Sequence, residues 1–154
     1  MDKLQEKLVK SFASLFVGYS PVAPGTFGTL IGIPLYLILY PQGIKIYIIF
    51  TTLFIILGIE ISSLAETIFD EHDSPKIIID EIAGFLVTML FIPLNIKFIL
   101  LGFILFRIFD IWKPVPISHL QKFPGGIGIM ADDILAGIYS NIILQVFTGF
   151  NLLR

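Results

Sequence analysis

Asp80 and Glu81 follow the apolar run Ile77-Ile78-Ile79 and lead into Ile82-Ala83-Gly84, a setting in which a carboxylate needs a reason to be present. Two adjacent acids can serve as capping and dipole partners at a helix start. They can also supply hard oxygen ligands to Mg2+, which takes a few carboxylates together with water and substrate phosphate rather than a dedicated protein cage. A second pair, Asp132-Asp133, comes after Pro124-Gly125-Gly126-Ile127-Gly128 and just before Ile134. Capping needs one acid, whereas two acids after closely spaced glycines suit a close backbone approach to a ligand beside a metal, with Gly126 and Gly128 as the approach points. The third group is Arg107, Asp110 and Lys113, whose i, i+3, i+6 spacing puts plus, minus and plus on roughly one helical face. A structural ion pair at a membrane edge accounts for Arg107 and Asp110, and Trp112 suits an interfacial belt. A sharper account gives Asp110 to a metal, while Arg107 grips phosphate oxygens in bidentate fashion and Lys113 does so as a point charge.

Weaker signals surround these. Gly18 to Leu30 packs Gly and Pro into an uncharged stretch before an apolar run, so backbone N–H groups near Gly25 and Thr26 could face an anion. An ordinary turn that starts a helix at Thr26 explains the same residues. His72 and His119 both lie in polar stretches, and only His72, beside Asp73, is a candidate for acid or base help at neutral pH. With no cysteine, thiolate ligands, disulfides and a cysteine nucleophile are excluded. A net charge of -2 offers no basic stripe for a nucleic acid backbone.

The elements that must position these residues are apolar. The 154 residues are 56% hydrophobic and 14% charged, with a mean hydropathy of +0.93, where soluble domains hold about 45–50% apolar and about 25% charged residues. Five apolar stretches stand out: Phe27 to Tyr40, Ile46 to Ile59, Ile82 to Ile92, Phe98 to Ile111 and Ile134 to Leu153. Only the last offers a full span without a charge, against the roughly 20 residues a bilayer requires. Pro41-Gln42-Gly43 and Pro93-Leu94-Asn95 signal tight reversals. The chain therefore reads as one all-α domain over residues 1–154, a small membrane-embedded bundle of about four to five apolar helices with its motif loops on one side. The rival is a soluble helical domain with a very apolar core. Met1 to Lys10 reads as an amphipathic helix without the cleavage site of a signal peptide. Alternating crossings put Gly18 to Gly28, Glu60 to Glu81 and Arg107 to Asp133 on the same side, with all twelve acids. Lys3, Lys7, Lys10, Lys76, Arg107, Lys113 and Lys122 join them, leaving Lys45, Lys97 and Arg154 opposite, so the positive-inside tendency makes that side cytoplasmic.

Four motifs in order resemble the phosphatidylglycerophosphatase A family over nearly the whole chain. They are Ala23-Pro24-Gly25-Thr26-Phe27-Gly28 with Thr29-Leu30; His72-Asp73 with Asp80-Glu81 and Gly84; Arg107-Ile108-Phe109-Asp110-Ile111-Trp112-Lys113-Pro114 with Pro116-Ile117; and Gly125 to Gly137. Thr29 stands where a serine is common, and Ser74-Pro75 replaces a variable dipeptide. The resemblance implies Mg2+-dependent hydrolysis of phosphatidylglycerophosphate to phosphatidylglycerol and phosphate at the cytoplasmic (inner) membrane, while the expectation of a multi-pass chain with the lipid bilayer as partner rests on composition. The chain has no Asp-x-Asp-x-Thr/Val nucleophile motif, no Arg-Pro pair and no Gly-x-x-x-x-Gly-Lys-Ser/Thr loop. Metal-assisted attack remains: one or two Mg2+ held by Asp80, Asp110, Asp132 and Asp133, Glu81 accepting a proton, Asp73 assisting, and Arg107 and Lys113 on phosphate. Gly25, Thr26, Gly126 and Gly128 complete the expected substrate contacts. Whether water attacks directly or an aspartyl phosphate forms stays open. Competing readings are a non-enzymatic ion-binding transport subunit, whose acids would be spread across depth, and a phosphatase for another lipid head group.

Overall fold

A computed structural model describes residues 2–150. All of its regular structure is helical: α1 (Lys3–Ser14), α2 (Pro24–Leu39), α3 (Ile44–Phe69), α4 (Ile79–Thr88), α5 (Ile96–Trp112), the single turn α6 (Ile117–Leu120) and α7 (Gly126–Gly149). Short 3-10 turns at Val17–Tyr19 and Tyr40–Gln42 lie beside α2. Among the described residues there is no strand, as the sequence led one to expect.

The helix limits have local causes. Asp2 starts α1 with a reciprocal box, its side chain accepting from the Gln5 N–H at 2.7 Å while the Gln5 side chain accepts from the Asp2 N–H at 3.0 Å. Pro24 opens α2, two positions ahead of the expected Thr26, because proline suits the first helical position and needs no donor there. The Asn95 side chain caps α5 at the Lys97 N–H, 2.9 Å away.

The five apolar stretches correspond to α2, α3, α4, α5 and α7, with changed boundaries. α3 runs on through Glu60 and Glu66 to Phe69, since Ser62 and Ala65 keep a small, buried face inward after Ile59. α4 is short: it stops at Thr88, and Phe91 adopts a left-handed backbone (φ 61°) before Pro93. α7 begins at Gly126 rather than Ile134, so the glycine-rich segment is not a loop but the first turns of the helix that carries Asp132 and Asp133. Residues 151–153 of the expected last stretch lie outside the described residues.

Buried α4 is the axis of the bundle and packs against α2, α3, α5 and α7. Its crossing with α7 brings backbones together at two glycines. A Cβ on Gly137 would stand 2.4 Å from the Gly84 carbonyl oxygen, and one on Gly84 would stand 2.7 Å from the Asp133 carbonyl oxygen. Small residues permit this approach, as in packed membrane helices. Tyr36, Phe85, Leu86, Met89, Phe106 and Leu144 fill the core below.

Apolar side chains also cover the outside. Ile49, Leu53, Ile56 and Leu57 on α3, Leu100, Ile104 and Ile108 on α5, and Ile138, Ile142 and Val146 on α7 are all exposed. Their three- and four-residue spacing makes continuous stripes. Two helices, α3 with 26 residues and α7 with 24, are long and apolar enough to cross a bilayer. At 1.5 Å per residue they reach about 39 and about 36 Å, beyond the roughly 30 Å hydrocarbon layer. By the same measure α2 and α5, with 16 and 17 residues, fall just short.

Candidate functional site

The up-and-down path gathers the start of α2, the end of α3, the start of α4, the end of α5, α6 and the start of α7 at one end of the bundle. Asp80 and Glu81 occupy the first turn of α4, which has no side-chain cap of its own. Facing them across the glycine crossing is Asp133. Each of the three offers a carboxylate oxygen, and these atoms lie within 4.8 Å of one another. Asp80 Oδ1, Glu81 Oε2 and Asp133 Oδ2 are closed off from solvent and accept no hydrogen bond.

Unpaired buried carboxylates are costly in their charged form. Burial accordingly raises the Asp80 carboxyl well above its ordinary range, reinforced by the charge of Glu81. Burial likewise pushes Glu81 up to about 8, with Asp133 and Asp110 adding to the rise while the hydrogen bond from Asp80 and the charge of Arg107 oppose it. Either protons or a cation must balance such a cluster. Oxygen-only donors and orphaned acceptor atoms fit a hard divalent cation.

Around the cluster stand cationic groups. Arg107 on α5 forms an ion pair with Asp110, one helical turn along and beside Asp133. Its Nη1 also donates to Thr29 Oγ1 at 3.5 Å, and that hydroxyl donates to the Gly25 carbonyl at 2.9 Å. Arg107 Nε is buried without an acceptor. The start of α2 has no side-chain cap and points its first turn here. A Cβ at Gly25 would sit 2.2 Å from Glu81 Oε1 and 3.1 Å from Arg107 Nη1, so a side chain there would push these groups aside.

A second polar chain flanks the first. Lys113 ends α5 in a left-handed conformation (φ 45°) that turns its ammonium group onto Asp132, with Asp73 3.9 Å away. The neighbouring acids hold Lys113 firmly cationic against the effect of its burial. Gln121 donates to the same Asp73 oxygen. His72 bridges Glu66 and the Gln121 carbonyl, the latter at 3.1 Å, and the Glu66 contact raises its affinity for a proton.

Of the four acids expected on a metal, the structure brings Asp80 and Asp133 together with Glu81. Asp110 is held by Arg107, and Asp132 by Lys113. Gly126 and Gly128, expected as substrate contacts, are points of close packing. A Cβ on Gly126 would stand 1.9 Å from the Ile59 carbonyl oxygen, and one on Gly128 would stand 2.0 Å from that of Phe123. Both glycines let α7 seat against α3 and the preceding loop. Thr26 is half-buried in the first turn of α2, its N–H bonded to the Ala23 carbonyl at 3.0 Å. Thr29 and Gln121 were not singled out. Thr29 ends the first motif, whereas Gln121 carries no signal beyond lying in a polar stretch.

Fold and site together define a class, an all-helical protein with an apolar exterior and an acidic cluster able to hold a cation beside an arginine and an uncapped helix start, components of the kind used on phosphoryl groups. Within that class, the chain belongs to the phosphatidylglycerophosphatase A family, whose pattern matches residues 11–148. It is similar to phosphatidylglycerophosphatase A of Haemophilus influenzae, 42% identical over 79% of this chain and 77% of that protein. Phosphatidylglycerophosphatase A of Escherichia coli is 36% identical over 82% of this chain and 75% of its own length. A putative phosphatidylinositol-3-phosphatase of Bacteroides thetaiotaomicron is 36% identical over 84% and 86%. No solved structure matches the chain.

Proposed function

We propose that this chain hydrolyses the phosphomonoester of phosphatidylglycerophosphate, releasing phosphatidylglycerol and inorganic phosphate at the bacterial inner membrane. The observation that carries this is the trio of unpaired carboxylate oxygens on Asp80, Glu81 and Asp133, set against Arg107 and the uncapped start of α2. Those three acids would hold Mg2+, which when bound neutralises phosphoryl oxygens and makes water a better nucleophile.

The remaining steps belong to the chain. Arg107, with its free Nε and its Nη1 steadied by Thr29 and Asp110, donates to phosphate oxygens. The N–H groups opening α2 add dipole and hydrogen bonds on the same side. Glu81 turns Oε2 to the cluster and Oε1 to Gly25, where it can take the proton of an attacking water. Lys113, kept charged by Asp132 and Asp73, contributes a further cation toward the substrate phosphate. Asp110 and Asp132 act by orienting the two cations rather than as primary ligands. α3 and α7 cross the bilayer with the acid end in the cytoplasm, at the depth of lipid head groups, and residues 1–154 work as one domain. Clustering of the acids at one end supports a surface site over a relay of acids through the membrane.

A second reading, hydrolysis of an inositol lipid phosphate, draws on the printed name of the Bacteroides relative. Phosphate release from phosphatidylglycerophosphate, phosphatidylinositol 3-phosphate and phosphatidic acid, with Mg2+ or with chelator, separates the two. Mg2+-dependent release chiefly from phosphatidylglycerophosphate is expected. Preference for the inositol lipid moves the head-group assignment, and no release from any of the three overturns the phosphatase.

A further inference from the structure

α1 has more faces than the bundle needs. Val9 and Ala13 pack inward against the cluster that includes Ala65 and Ile77. Leu4, Leu8 and Phe12 recur every fourth residue and remain exposed, at 65%, 49% and 57%. Four-residue spacing lays them along one slowly turning stripe. Phe16, in a left-handed conformation just past the helix, extends this ridge at 73% exposure. Such a ridge has no role in a water-facing helix.

Next to the ridge is a surface recess of about 460 Å3, lined by Lys3, Lys7 and Lys10 together with Glu6, Ser11, Phe16 and Tyr19. Lys10 is paired with Glu6 at 2.6 Å. Lys3 and Lys7 form no ion pair among the described residues. Two free ammonium groups beside a row of apolar side chains complement an anionic phospholipid surface, in which phosphate sits directly above acyl chain.

We propose that α1 docks on anionic phospholipid, with Leu4, Leu8, Phe12 and Phe16 in the acyl boundary and a lipid phosphate in the lysine recess. A ridge of four side chains gives modest insertion alone, and each nearby lysine strengthens attachment to an anionic leaflet by about fivefold. The helix is therefore a sensor of leaflet charge. Its connection to the site is short. After the Val17–Tyr19 turn the chain reaches Pro24 and the start of α2, so a docked α1 holds that helix start at head-group level. The inference concerns where the protein sits and is independent of head-group specificity in catalysis.

The test uses the full chain, which has no cysteine. Phe12→Cys is labelled with an environment-sensitive dye and reconstituted into vesicles of phosphatidylcholine alone or of phosphatidylcholine mixed with phosphatidylglycerol. Blue-shifted emission is expected in the mixed vesicles and is weakened by high salt. Lys3→Gln/Lys7→Gln lowers the ratio of docked to free α1 by about twenty-five-fold, the product of two fivefold effects. Leu4→Ser/Leu8→Ser abolishes the shift in both vesicle types. Equal emission in the two compositions, or a shift unchanged in the lysine variant, overturns the proposal. So does a shift that disappears on dilution with lipid, since a second copy of the chain then covers the ridge. Fluorescence needs no turnover, so this outcome is read separately from the phosphatase assay.

Discussion

The two ends of the ten-residue helix α4 treat buried polarity in opposite ways. At the C-terminal end the carbonyls are matched: Leu86 accepts from the Tyr47 hydroxyl at 2.7 Å, Thr88 from Asn141 at 2.8 Å, and Leu90 from Asn141 at 2.7 Å and Gln145 at 3.2 Å. At the N-terminal end Asp80 is buried and Glu81 half-buried, each with an oxygen that nothing inside the chain satisfies. The C-terminal end is what a stable helix terminus requires. Its counterpart sacrifices stability for a ligand, the expected signature of a functional site.

That contrast breaks most readily at the acids. Asp80→Asn and Asp133→Asn each remove a charge that repels its neighbours, so phosphate release is expected to fall about a hundredfold or more while thermal stability holds or rises. Loss of stability together with retained turnover in both variants would make the cluster structural. Arg107→Lys keeps the charge and loses the planar fork, and about a tenfold drop in release with an unchanged Mg2+ optimum is expected. A moved Mg2+ optimum would place Arg107 on the cation site instead.

Asn141→Ala tests the other end, leaving the Thr88 carbonyl without its side-chain donor and the Leu90 carbonyl with Gln145 alone. Unfolding should cost about 1–3 kcal/mol less, with turnover per folded molecule unaltered. The smallest effect is on pH dependence. Without a cation, Glu81 keeps its proton up to about 8, whereas its ordinary value is 4.5. Across that window the folded state holds a proton that the unfolded chain has released, so the melting temperature of chelated protein declines as pH rises. Added Mg2+ should restore it most at the alkaline side, and a flat profile would mean that Glu81 is already balanced internally.

The helical architecture was open to reading because apolar runs alternate with Pro-Gly and Pro-Asn reversals, and that alternation also put every acid at one end. Spacing could not say which acids are neutralised. Asp132 and Asp133 are neighbours, yet successive helical positions diverge by about 100°, so one meets Lys113 and the other Asp80. Glu81 reads both as a ligand beside Asp80 and as a base, and the α4–α7 crossing is what sets it against Asp133. The glycines before Asp132 read as a ligand loop because sequence shows flexibility but not the nearby Ile59 carbonyl that demands a missing side chain. Helix α3 outran its apolar stretch since Glu60 faces solvent and Glu66 is held by His72, so neither charge interrupts the helix. Nothing near Gln121 marks it, for its role exists only once Asp73 is folded beside it.

Asp133 sits on the last of the seven helices, and the acids it joins lie on the fourth. During synthesis Asp80, Glu81 and Asp110 therefore leave the ribosome well before the helix that completes their pocket. Until α7 is made, Asp80 and Glu81 have no Asp133 across from them, and α4 lacks the glycine seat at Gly137. The acidic cluster is thus complete only when α7 packs, and a chain cut before Asp133 would lack one of its three carboxylates.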